Sequence, residues 1–195
     1  MRTILLARFG LCSVLALAAS PALAQTVKIT RSTVAERPFT IIYPDSFTIA
    51  AGSKGAVLTI THRTAPLQCS LTVTPLEDVD WTADAALAGF NSSVIEAGWQ
   101  SDFPGFSVAS RSLIPFQSGP ALVYEGESIG SPVGMPVRIV HAETMDQSRG
   151  YMFECVMPTS IGAEAKPLVD FLIRNFSTRS DAPCCAAPFP ENSLH

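Results

Sequence analysis

Phe39-Thr40-Ile41-Ile42-Tyr43-Pro44-Asp45-Ser46-Phe47 sets the pattern that the rest of this chain repeats. Its first half is a run of β-branched and aromatic residues. Pro44-Asp45-Ser46 interrupts the run with turn chemistry, and Phe47 restarts an apolar alternation that reaches Ala50. The stretch therefore reads as two strands, Phe39 to Tyr43 and Phe47 to Ala50, joined by a tight turn. Upstream, Thr26 to Arg37 is a polar lead. Downstream, the same punctuation by Pro and Gly predicts strands at Ala56 to His62, Cys69 to Pro75, Phe106 to Phe116, Ala121 to Glu127, Pro136 to Met145 and Gly150 to Met157. Asp146-Gln147-Ser148-Arg149-Gly150 reads as a hairpin loop, with Gly150 available for a positive φ.

Two segments change period. Over Thr82 to Gly98 the apolar positions Leu87, Phe90 and Val94 predict one amphipathic helix, with Thr82 as N-cap and Gly98 as its left-handed end. Ala163 to Phe176 repeats the spacing through Leu168, Phe171, Leu172 and Phe176. Pro167 is expected inside the first turn, and Arg174 complements the dipole at the C-terminus. Consecutive strands with two helics packed on them place the chain in the α+β class, an antiparallel β-sheet flanked by helices.

The opening nonapeptide resembles the F-x-hydrophobic-x-Y-P-x-x-(W/F) start of the PsbP-like superfamily, which includes the extrinsic photosystem protein and bacterial envelope relatives of the DcrB type. The order of elements agrees over residues 37–178: an opening hairpin, two strands, a helix, four strands and a last helix. The resemblance implies an α/β/α sandwich around an antiparallel sheet and a role in binding or assembly. The Trp common in the opening turn is Phe47 here, and no site residue of the family carries over.

The ends of the chain bear on location. Met1 to Arg8 is basic, Phe9 to Ala19 is apolar, and Ser20-Pro21-Ala22-Leu23-Ala24 ends in the small-x-small pattern of a signal peptidase site. Residues 1–24 are thus expected to be an export signal, 25–180 a single domain, and 181–195 a Pro- and Cys-containing flexible tail. Cys12 is expected to leave with the signal. The apolar run is too short to span a bilayer, which takes about 20 residues, so no membrane span is expected after its removal. The expected location is periplasmic or secreted.

Acidic residues outnumber basic ones 17 to 13, and losing Arg2 and Arg8 widens the gap. The remaining cations are scattered singly, which argues against nucleic acid as a partner. Cys69, Cys155, Cys184 and Cys185 remain after cleavage, in a compartment where disulfides persist, and they allow three pairings. Cys69 and Cys155 each fall on the apolar side of an alternating strand. A bridge between them would close a long loop and be worth about 4–5 kcal/mol by chain entropy, the alternative being two buried thiols. Cys184 and Cys185 are adjacent in a Pro- and Ala-rich tail and closer than a disulfide usually spans. They are expected as an incidental tail pair or a tether to another chain, with a redox or metal-capturing role as the alternative.

Reactive constellations are sparse. Gly126-Glu127-Ser128-Ile129-Gly130 has the spacing of a nucleophile elbow, but the prolines and glycine of Ser131-Pro132-Val133-Gly134-Met135-Pro136 favour a loop over the required helix. His62 and His141 end or interrupt apolar strand faces without any metal-ligand spacing. Glu125, Glu127 and Glu143 read as a solvated outer face rather than as paired carboxylates. The triplets beginning at Asn91 and Asn175 fall on expected helices, so glycosylation there is not expected. No cofactor or metal is expected. Trp81 and Trp99 flank the first helix as candidate contact residues in a groove between helix and sheet, with core packing as their alternative. The expected function is a non-enzymatic cell-envelope binding or assembly module whose partner is an envelope protein or a small apolar ligand. The alternatives are a small enzyme using Ser128 or the tail thiols, and a structural subunit pairing through a sheet edge.

Overall fold

The computed structural model describes residues 26–77, 80–132, 134–185 and 187–188. The expected export signal 1–24, its expected cleavage site and the end of the tail lie outside the described residues. Alternating apolar side chains build strands β1 (Val27–Arg31), β2 (Thr40–Pro44), β3 (Phe47–Ala51), β4 (Ala56–His62) and β5 (Gln68–Pro75). Helices α1 (Ala83–Gly89) and α2 (Ser92–Trp99) follow. Next come β6 (Ser107–Phe116), β7 (Gly119–Ser128), β8 (Val137–Asp146) and β9 (Arg149–Pro158), then α3 (Gly162–Arg174) and β10 (Phe176–Ser177).

The strands form a seven-stranded antiparallel sheet in the order β3-β4-β5-β9-β8-β7-β6 and a three-stranded sheet in the order β1-β2-β10. Two local units meet in the large sheet: the β3–β5 meander and the β6–β9 meander, joined where β5 pairs with β9 from Gln68↔Val156 to Pro75↔Arg149. Cys69 lies directly opposite Cys155 in that register, and the two are bonded across the seam. Because side chains alternate, Cys69, Leu71 and Val73 share a face with Cys155, Phe153 and Tyr151. The small sheet and α3 cover that face with Ile41, Tyr43, Leu168, Val169, Leu172 and Phe176, forming the main core.

The opening stretch sits at the centre of this arrangement. Every residue of β2 is buried, and Phe47 is fully so, packed edge-on against the His62 ring at 4.9 Å. β1 arises within the polar lead because its backbone completes the edge of β2, not because it carries an apolar face. Its residues are mostly exposed.

The single helix expected over Thr82 to Gly98 is two. Thr82 caps α1, its hydroxyl accepting from the Ala85 N–H at 3.2 Å. The helix ends at Gly89, and the Asn91 side chain then caps α2 by accepting from the Val94 N–H at 3.1 Å. Restarting the helix changes its phase. Phe90 and Val94, expected inward, are exposed, whereas Ile95 is buried and Trp99 packs beside it. Gly98 lies inside α2 rather than at a left-handed end. In α3, Pro167 occupies the second turn, and Asn175 ends the helix before Phe176, which pairs with β2 instead of continuing it. The loop between β8 and β9 takes its positive φ at Gln147 and Ser148, not at Gly150. A two-residue turn with both central residues left-handed matches the twist of the strands it joins. At Gly150 a side chain would displace the end of the exposed Leu76 side chain.

The first described part of the tail packs on the body. Ala182 is buried, its carbonyl accepts from Arg31 Nη2 at 3.0 Å, and the Asn175 amide holds both backbone groups of Ala187.

The Cys69–Cys155 bridge spans a sequence separation of 86. The double variant Cys69→Ala/Cys155→Ala is expected to lose about 2–5 kcal/mol of unfolding free energy in urea titrations, most of it through greater freedom of the unfolded chain.

Candidate binding surface

The two faces of the large sheet are covered unequally. On the face opposite the disulfide, α1 packs Ala83 and Ala86 against Leu122, while Ile95 and Trp99 of α2 pack with Phe103, Phe106, Tyr124, Val137 and Ile139. This covers the β6–β8 half. The β3–β5 half carries Thr48, Thr59, Thr61, Gln68, Ser70 and Thr72 and no helix.

A row of side chains crosses the boundary between these halves. Tyr124, His141 and Glu154 are direct partners on β7, β8 and β9. The Tyr124 and His141 rings stack at 4.7 Å, and Trp99 meets His141 edge-on at 5.3 Å while donating its indole N–H to the Tyr124 hydroxyl at 2.7 Å. Burial pushes the Tyr124 phenol far above its ordinary range, so it stays neutral. His141 is buried, with Glu143 at 3.5 Å from Nε2 and Glu154 at 3.9 Å from Nδ1, distances of ion pairs rather than of hydrogen bonds. Burial is the largest single influence and lowers its pKa. The two carboxylates together outweigh it and hold the imidazole above its ordinary value.

Grooves lie to either side of this row. One, of about 290 Å³, runs between α1 and the sheet and is lined by Trp81, Phe90, Leu76, Glu143, Met145 and Met152. The other, of about 550 Å³, is lined by Leu67, Phe103, Met135, Val156, Glu154 and Lys54. Phe90, Leu76 and Met135 are each exposed apolar side chains on their lining. Trp81 lines the smaller of these grooves, whereas Trp99 is held in the aromatic cluster.

The histidines and cysteines scatter. His141 lies on the face opposite Cys69 and Cys155, because its neighbour Val140 is the residue paired with Cys155. His62 shares the face of the disulfide, but its Nδ1 accepts from the Ala65 N–H at 3.0 Å, and burial lowers its pKa. Cys184 and Cys185 are bonded to each other and exposed at the tail. Among the described residues no group of three or more His, Cys, Asp or Glu is placed to hold a metal, and no helix is long and apolar enough to cross a membrane.

The Gly-x-Ser-x-Gly segment docks the loop after α2. Ser128 is buried and donates to the Pro104 carbonyl at 2.8 Å, and the Gly130 N–H donates to the same carbonyl. A side chain at Gly126 would collide with the Phe106 ring. Ser128 ends β7 and a turn follows, with no helix. The glutamates separate too. Glu125 is not on a solvated face: it is mostly buried and accepts from Lys166 Nζ of α3 at 2.7 Å, which ties helix to sheet. Glu127 faces Arg138 at 3.7 Å on the same side, and Glu143 lies on the other. Asn91 and Asn175 are cap residues, and Asn175 is fully buried. The His141 row was hidden in the sequence because Tyr124 and Glu154 are 17 and 13 positions from His141 and meet it only through strand register.

No family model and no curated protein matches this sequence. Solved structures do match its fold. The PsbP protein CyanoP of Synechocystis sp. PCC 6803 superposes with a TM-score of 0.56 at 13% identity, over 86% of this chain and 97% of that one. The Ran-binding protein Mog1p of Saccharomyces cerevisiae gives 0.50 at 12% identity, over 78% and 96%. LpqN of Mycobacterium tuberculosis, a protein involved in cell envelope biogenesis, gives 0.50 at 13%, over 82% and 86%. The chain has the Mog1/PsbP-like fold.

Because its pKa is raised on folding, His141 contributes stability that is fully present below about pH 6.5 and is lost as pH rises through the folded value. Urea titrations over a pH series are expected to show the stability gap between the wild type and His141→Gln closing in that direction, and a pH-independent gap would refute the ion-pair reading. Tyr124→Phe leaves the Trp99 N–H without its acceptor and is expected to cost about 1–2 kcal/mol.

Proposed function

We propose that this chain is an exported accessory protein of the cell envelope that works by binding a partner or small apolar ligand, not by catalysis. The observation that carries this reading is the half-covered face of the large sheet, where two grooves with exposed apolar side chains flank a neutral hydroxyl-bearing surface. Exposed Phe, Leu and Met side chains rimmed by polar groups have the composition of contact surfaces. Trp81 and Phe90 supply aromatic anchors at one end, and Phe103 and Met135 apolar ones at the other. The disulfide across the seam favours an oxidising compartment. The sequence of residues 1–24 is of the kind that directs export, and the likeness of fold to an envelope-biogenesis protein agrees with that location.

Two measurements test the reading. The mass of the chain recovered from the envelope fraction is expected to match Gln25 to His195 with Cys69 and Cys155 oxidised. Recovery of the uncut precursor from cytosol refutes export. A photoreactive residue at Phe90 or Met135 is expected to give a discrete adduct in intact envelope, and one at Lys28, on the outer edge of the small sheet, is not. Equal labelling from all three positions refutes the assignment of the surface.

A further inference from the structure

A third groove, away from the open face, differs from the other two in its charge. It is an open groove of about 490 Å³ between the β1–β2 connection and the end of the β3–β4 hairpin, a volume within the range of roughly 300–1,000 Å³ typical of small-ligand sites. Partly buried Ile49 and Val57 and exposed Val34 give it an apolar lining, with Phe39 and Leu58 buried beneath them. Gly52 allows the hairpin to close beside it, since a side chain there would run into the Ala56 backbone.

Arg31 and Arg37 stand on this lining with no acidic residue among its members, in a chain where acids outnumber bases. The Arg37 side chain has no hydrogen-bond or ion-pair partner among the described residues. Arg31 gives one N–H to the Ala182 carbonyl and feels the Asp181 carboxylate beside it, so with five N–H donors on its guanidinium it can assist but Arg37 is the less matched cation. The remaining polar lining is neutral, from Thr30, Ser32 and Thr33. Charge and shape are thus complementary to one kind of molecule, an alkyl chain with an anionic head.

We propose that this groove binds a free long-chain fatty carboxylate, with its alkyl chain along Val34, Ile49 and Val57 and its head on Arg37, assisted by Arg31. Planar guanidinium and planar carboxylate match in a two-bond geometry that an alcohol cannot reproduce. The site shares no lining residue with the two grooves beside the His141 row, so it stands or falls apart from them.

The test uses the full mature chain and calorimetric titration with dodecanoate and with dodecanol, both kept below the concentration at which they aggregate. Dodecanoate is expected to bind one per chain and more tightly than dodecanol, with affinity falling as salt is raised. Arg37→Gln is expected to weaken dodecanoate by about 2- to 5-fold while leaving dodecanol unchanged. Ala51→Trp, at an exposed position on the groove, is expected to abolish both. If that variant does not fold, the Arg37→Gln comparison decides alone. Equal affinity for acid and alcohol overturns the proposal. So does an equal loss in Arg63→Gln, a surface cation outside the groove, because that result means diffuse charge attraction.

Discussion

Strand β5 finds its neighbour not in the next strand along the chain but in β9, with a sequence separation of 86 between the cysteines that join them. Every other pairing in the large sheet is between consecutive strands. Closing the seam is therefore the longest-range step in the sheet, because two meanders must be brought into one register. Cys69 and Cys155 meet there without exposure to water, and Leu71, Val73, Phe153 and Tyr151 extend the contact along the same face. A slip of one residue would turn all of them to the opposite face, which carries Ser70, Thr72 and Glu154.

The seam also divides the molecule's surfaces. Its buried face takes α3 and the small sheet, whose central strand β2 is apolar enough to be enclosed on all sides. Lys166 clamps α3 to the sheet through Glu125, and Asp170 one turn along the helix holds the ammonium in place. On the other face, α1 and α2 reach only as far as β8, and the His141 row marks the limit of their cover. An imidazole stacked on Tyr124 and flanked by two carboxylates is where the aromatic packing of the helices gives way to the polar, open half of the sheet. The grooves form at this step in height because neither helix extends over β5 and β4.

Much of this was legible in the sequence where local chemistry and tertiary packing agree. The strand boundaries read from apolar alternation fall within a few residues of those observed, because each strand has one face in the core. The nonapeptide at Phe39 was informative for the same reason: it concentrates the residues that β2 and β3 bury. The helical segment from Thr82 failed where two local signals compete. Leu87, Phe90 and Val94 keep helical spacing, but Asn91 bonds to its own downstream backbone and restarts the turn, so spacing alone named the wrong inward face. β1 escaped notice because its backbone hydrogen bonds, not its side chains, place it, and β10 because buried Phe176 continues the helical spacing of Leu168 and Leu172.

The sequence by itself determined the class of the fold, the pairing of apolar faces and the presence of two cysteines suited to one core, since these follow from periodicity and burial, which are properties of neighbours along the chain. Only the tertiary structure decided that Cys69 and Cys155 are opposite each other, that Tyr124, His141 and Glu154 form one row, and that Arg31 and Arg37 line a groove with Ile49 and Val57. Each of these depends on register between strands or on the packing of one sheet beside another. Contacts of that kind are fixed by the summed burial of the whole core, and no short stretch of sequence contains them.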